Sequence, residues 1–229
     1  MINEPYIKFA FALCLCASVV NIKDAKAACK GDPKFDRSSV IQVESTPIQP
    51  RYFHNLSTAQ IEAMRNVRLN GPRMHNPGIT KAEHGLKTDC LIGGLKRGRN
   101  QYCMWAESVL VRFSFNQMDV YVSSQYLEGG CAYQVILGHE NEHVAINIRA
   151  LAKYKGLMER ALKRFRDIPT KANPLAVRSM QQGKAAISAR INRVVNPLYA
   201  QFKKEVRDAN DKIDTTANYR RTQAKCKDW

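Results

Sequence analysis

A chain of 229 residues with 45% apolar content is long enough for one compact domain and too apolar to be disordered throughout. Its formal net charge of +16, from 36 Lys and Arg against 20 Asp and Glu, excludes an acidic surface and directs attention to anionic partners.

The first residues read as a targeting segment. Lys8 precedes the twelve-residue apolar run Phe9 to Val20, and Ala25-Lys26-Ala27 follows with the small-x-small spacing of a signal cleavage site. As a helix that run covers about 18 Å against a hydrocarbon core of about 30 Å, which argues against a permanent membrane span. The reading is a signal peptide over residues 1–27 and a single domain over 28–229, periplasmic or secreted. Cleavage removes Cys14 and Cys16 and leaves five cysteines, an odd number for an oxidising compartment. Cys90 and Cys103 bracket a Gly-rich stretch and are expected to pair. Cys131 with Cys226 is the second expected bridge, which leaves Cys29 over.

Residues 29–50 read as a polar, extended lead-in. Ser57 with Gln60 then forms a capping box, flanked by Leu56 and Ile61 as a staple, and starts a helix that ends before Asn70. Residues 70–100, rich in Gly, Lys and Arg, read as loop or irregular hairpin. Val109, Val111, Phe113 and Phe115 alternate with outward positions as in a half-buried strand. A turn at Asn116–Asp119 and a returning strand at Val120–Ser123 complete a β-hairpin. From Cys131 to Asp167 helix formers dominate. Asn173-Pro174 and Asn196-Pro197 each predict a further helix start, and Leu198, Phe202, Val206, Ala209, Ile213 and Ala217 form the buried stripe of the last. The fold class expected is α+β, a small antiparallel sheet followed by a long helix and two more.

The charge is uneven: from Ile146 onward there are 20 Lys and Arg against 7 Asp and Glu. The export signal and the lack of interleaved aromatics argue against nucleic acid. Acidic or envelope-associated partners, or plain solvated helix faces, fit better.

The chemistry concentrates in Gly138–Ile146, GHENEHVAI. His139 and His143, four apart on a helix, project from one face one turn apart and can converge on one metal ion. Glu140 lies about 100° around, off the metal but within reach of a water beside it. With 5 His and 10 Glu in the chain, shuffling spells H-E-x-x-H roughly once in two hundred sequences. Val135, Ile136, Leu137, Val144, Ala145 and Ile148 mark a buried helix, which would not carry these polar groups unless something satisfied them.

His139, Glu140 and His143, on a helix after a strand, resemble the zincin metallopeptidases. More narrowly, residues 100–160 are similar to exported bacterial proteins grouped with zinc proteases. The resemblance implies a Zn²⁺ cofactor, Glu140 as general base, a peptide or protein substrate, and a strand near Val120–Ser123 that aligns it. The metzincin continuation is excluded, because Ile146 and Arg149 stand where Gly and His belong. Three sources remain open for the third ligand. Glu159 lies about 24 Å along a continuous helix and about 160° around, so it requires a break at Gly156. His54, His75 and His84 are upstream candidates. Asp214, in NDKIDTTANYRR, loosely resembles the Asp ligand of zincins with a nearby Tyr; there the resemblance gives Tyr219 the oxyanion role. On a continuous helix Asp214 and Tyr219 point about 140° apart, so that pairing needs the helix to end near Thr215-Thr216. The competing reading is a non-catalytic envelope protein with a structural or vestigial metal site and polymer-binding basic helices. A structural site closes with four protein ligands, whereas a catalytic one keeps a position open.

Overall fold

The computed structural model describes residues 29, 39–46, 48–64, 77–227 and 229; the signal-peptide reading over 1–27 and His75 lie outside them. In chain order the elements are β1 (Val40–Glu44), β2 (Arg51–Phe53), α1 (Thr58–Ala63), β3 (Gly78–Gly98), β4 (Gln101–Val122), α2 (Cys131–Arg164), β5 (Leu175–Val177), α3 (Met180–Ile213) and α4 (Thr216–Gln223). The fold is mixed α and β with a five-stranded sheet.

Strand β4 is the spine of the sheet. Antiparallel β3 pairs with it from Gly98 opposite Gln101 to Gly78 opposite Val122. Three short strands line its other edge: antiparallel β5 at Tyr102–Met104, then parallel β1 at Ser108–Arg112 and parallel β2 at Asp119–Tyr121. Arg51 secures β2 by donating Nε and Nη2 to the two oxygens of buried Asp119, at 2.8 and 2.9 Å.

The sheet is mixed rather than antiparallel throughout, because β1 and β2 run parallel to β4, and it differs from expectation in two further places. Residues 78–98, read as loop or irregular hairpin, are one long strand that forms an irregular hairpin with β4; the turn falls at Arg99-Asn100, with Asn100 at φ 58°, a conformation Asn tolerates better than most residues. There is no turn at Asn116–Asp119 either. Phe115 faces His84 and Gln117 faces Glu83, so Asn116 is an extra residue in the ladder, a β-bulge. Buried positions run 109, 111, 113, 115, then shift phase to 118, 120, 122. A period of two breaks at a bulge as it does at a turn, and the missing partner strand was hidden in the Gly- and Lys-rich segment.

Helices α2 and α3, each 34 residues, cover the sheet. Val109, Val111, Phe113 and Phe115 of β4 pack with Leu151, Met158 and Leu162 of α2 and with Ile187, Ile191, Val195 and Phe202 of α3. The Phe113 and Phe202 rings meet edge to face at 4.8 Å between centroids. The two helices expected from Asn173-Pro174 and Asn196-Pro197 are one helix. It starts after Ser179, whose hydroxyl accepts from the Gln182 amide, and it runs straight through Pro197. An interior proline costs about 3 kcal/mol. Five buried side chains on the opposite face, Ile187, Ile191, Val195, Phe202 and Val206, each contribute about 1.5–3 kcal/mol, and burial wins. The capping box of Ser57 and Gln60 is present in both directions at the start of α1.

Two disulfides tie the layers, Cys131–Cys226 as expected and Cys29–Cys103. Cys90 is free, and burial pushes its thiol up to about 11. It cannot reach Cys103, because it pairs with Val109, six positions or roughly 20 Å along β4. Cys131–Cys226 closes 95 residues, so Cys226→Ser is expected to cost about 2–5 kcal/mol in a denaturant titration. A loss below about 0.5 kcal/mol would show that packing alone holds the C-terminal segment. Among the described residues no helix is long and apolar enough to cross a membrane.

Candidate metal centre

Helix α2 begins after Gly129-Gly130; Gly129 has φ 81°, which a side chain would strain. Two turns on, His139, Glu140 and His143 sit on its buried face, at 6%, 1% and 8% exposure. The other half of the site comes from the junction of α3 and α4. Helix α3 ends at Ile213, Asp214 is its C-cap, and Thr215 caps α4 by accepting from the Asn218 amide. That break folds Tyr219 back onto Asp214, whose Oδ1 accepts from the Tyr219 hydroxyl at 2.9 Å. The Cys131–Cys226 bridge ties the segment after α4 to the first residue of α2.

The three donor atoms form a small triangle. His139 Nε2 and His143 Nε2 each lie 3.1 Å from Asp214 Oδ1 and 3.3 Å from each other. Donors around a tetrahedral zinc with bonds of about 2.0 Å stand about 3.3 Å apart, so the spacing fits such an ion. The donor chemistry fits as well. His143 Nδ1 is 2.9 Å from Asn210 Oδ1, an acceptor that takes the Nδ1 hydrogen. In the neutral ring Nε2 is then a lone pair facing a carboxylate oxygen, an arrangement that either a proton or a metal cation between them satisfies. Burial disfavours a charged His143, yet Asp214 and Glu140 outweigh it and push its pKa up to about 9. Asp214 is partly buried, but the His139 and His143 imidazoles against its Oδ1 hold it well below the ordinary carboxylate range. Among the described residues His139, His143 and Asp214 are the one group of three or more His, Cys, Asp or Glu so placed.

Glu140 does not join the triangle. Its Oε2 accepts from Thr80 Oγ1 at 2.8 Å, and burial raises its pKa against the opposing pull of His143, Thr80 and His139. Beside it is a cavity of about 20 Å³ bordered by His139, Tyr219 and Trp229, enough for about one water molecule.

The other candidates lie elsewhere. Glu159 is paired with Lys163 at 2.6 Å on an unbroken α2, so Gly156 provides no fold-back. The His54 ring meets the carbonyls of Ser123 and Tyr126, and His84 is packed among Phe115, Tyr199 and Phe202. Glu142 is exposed, and Asn147 donates to the His143 carbonyl within α2. Val120–Val122 is not a free edge, since β2 and β3 flank β4 there; β3 has no second strand partner among the described residues.

Sequence reasoning missed Asn210 and Thr80. Asn210 stands four residues before Asp214, on the same face of α3, and that spacing was a usable signal. Thr80 had none, because its segment was read as loop or irregular hairpin and its pairing with β4 was not seen. Comparison with protein-family models, with curated proteins and with solved structures finds no match.

Proposed function

We propose that this protein is an exported zinc-dependent hydrolase, a metallopeptidase, in which His139, His143 and Asp214 hold the metal. The observation that carries the reading is the convergence of two imidazole nitrogens and one carboxylate oxygen within 3.3 Å of one another. Among the described residues three donors converge rather than four, which supports a catalytic over a structural site. The two disulfides fit an oxidising compartment, and hence a mature chain in the periplasm or outside the cell.

A zinc ion held there supplies a Lewis acid that acidifies water and polarises a carbonyl. The chain does the rest. Glu140, held by Thr80 beside a cavity of one-water size, accepts the proton from the attacking water and returns it to the leaving amine. Tyr219, whose hydroxyl donates to Asp214 Oδ1, would turn that one donor to the oxygen on which charge develops. Asn210 fixes the His143 ring and its tautomer. An extended peptide would run along β3, which has no second strand partner among the described residues, and the excess of basic residues after Ile146 favours acidic or envelope-associated substrates.

The metal affinity of this site is expected to depend on pH with a definite sign. Without metal, His143 keeps its proton up to about pH 9, and the metal must displace it. Apparent zinc affinity should therefore rise about tenfold per pH unit between pH 7 and 9 and level off above, measured by competition with a chelator of known affinity. In the metal-free protein the same raised pKa contributes stability below about pH 6.5 that is lost as pH climbs through about 9. Affinity that is flat across this range would sink the ligand role of His143.

The function itself is tested by incubating the mature protein with a mixture of denatured polypeptides and reading new termini by mass spectrometry. Cleavage abolished by a chelator and restored by zinc is expected. Cleavage indifferent to the chelator would contradict the reading.

A further inference from the structure

We propose that Gly78 and Thr80, at the start of β3, are positioning residues that seat the Glu140 carboxylate; the inference rests on the hydrolytic reading of the site. Two independent contacts lead to it. Thr80 Oγ1 lies 2.8 Å from Glu140 Oε2 and 3.1 Å from the main-chain oxygen of the same residue. One hydroxyl thus touches both the side chain and the backbone of Glu140, and keys the strand to that turn of α2. Two residues earlier, a Cβ built on Gly78 would stand 2.7 Å from Glu140 Oε1 and 2.9 Å from its Cγ. Real Cβ atoms essentially never show contacts under 3.0 Å, so a side chain at 78 displaces Glu140, the strand or Ile136, whose Cγ2 is also 2.7 Å away.

Together the two positions bound the carboxylate from one side, Thr80 by attraction and Gly78 by vacancy. Both residues face the helix because they are two apart on one strand. Glu140 is 1% exposed, so the Thr80 hydroxyl replaces a hydrogen bond that water would otherwise provide. Without it the buried carboxylate has a strong reason to turn toward the cluster of His139 and His143. A general base works only within hydrogen-bond reach of the proton it takes, and a shift of about 1 Å is enough to lose that reach. Neither Gly78 nor Thr80 offers a donor atom to the triangle of His139, His143 and Asp214, so their contribution is separable from metal binding.

The test compares zinc-loaded wild-type, Thr80→Val, Thr80→Ser and Gly78→Ala proteins. Zinc stoichiometry is expected to stay at one per chain in all four. Turnover of denatured casein is expected to fall about 10- to 100-fold in Thr80→Val at unchanged KM, and to return to within about 3-fold of wild type in Thr80→Ser. Crystal structures supply the readout that needs no activity. Glu140 should hold one position in wild type and Thr80→Ser, and a displaced or divided one in Thr80→Val and Gly78→Ala. An undisplaced Glu140 in both Thr80→Val and Gly78→Ala overturns the proposal, whatever casein shows. Absence of zinc from the wild-type protein overturns the hydrolytic reading instead, and leaves the crystallographic comparison to judge the seat. Should Thr80→Val not fold, Gly78→Ala decides by the same criterion.

Discussion

Glu140→Gln is expected to bind one zinc per chain and to cleave polypeptides about 10²- to 10⁴-fold more slowly than wild type, the range for loss of a positioned general base. The substitution is close to isosteric, and the glutamine carbonyl can still accept from Thr80, so the seat survives while the proton acceptor is gone. It also removes a buried negative charge whose ionised form burial opposes, so the fold should not be weakened by it. Initial rates at saturating substrate, with zinc content measured on the same samples, separate the two effects. A rate within about 3-fold of wild type would remove Glu140 from the chemistry.

Asp214→Ala is expected to weaken zinc binding by more than about 100-fold, beyond the 10- to 100-fold typical of residues that only orient a ligand. Asn210→Ala belongs in that lower range, since it loosens the His143 ring without removing a donor. Asp214 makes the cleaner variant than either histidine, because its side chain is 37% exposed against 4% and 10% for theirs. Truncation there leaves no large cavity, and a loss of affinity is read without a large loss of stability. Tyr219 loses that acceptor in the same variant. Wild-type affinity in Asp214→Ala would mean that the third ligand lies elsewhere.

Some parts of this molecule were legible in its residues and others were not, for reasons that can be named. The H-E-x-x-H spacing specifies two imidazoles on one helix face, and the helix exists as read. The break at Thr215 was legible as a condition: Asp214 and Tyr219 meet only if the helix stops there, and it does. The Cys131–Cys226 bridge was also anticipated. Strand β3 was not, because its half-buried positions hold Gly, Thr, Ala and Lys rather than a run of large apolar residues, and its identity comes from pairing with β4. With β3 unread, the bulge at Asn116 looked like a turn, Cys90 looked close to Cys103, and Thr80 could not be seen beside Glu140. Pro197 misled for a different reason: local propensity at one exposed position yielded to the buried stripe on the other side of α3.

The central claim, that His139, His143 and Asp214 bind zinc together, is tested most directly by X-ray absorption at the zinc edge of the zinc-loaded mature protein. One zinc per chain is expected, with two imidazoles and otherwise oxygen ligands at about 2.0 Å. A sulfur ligand, for which Cys90 is the free thiol among the described residues, or the absence of stoichiometric zinc under any loading condition would contradict it.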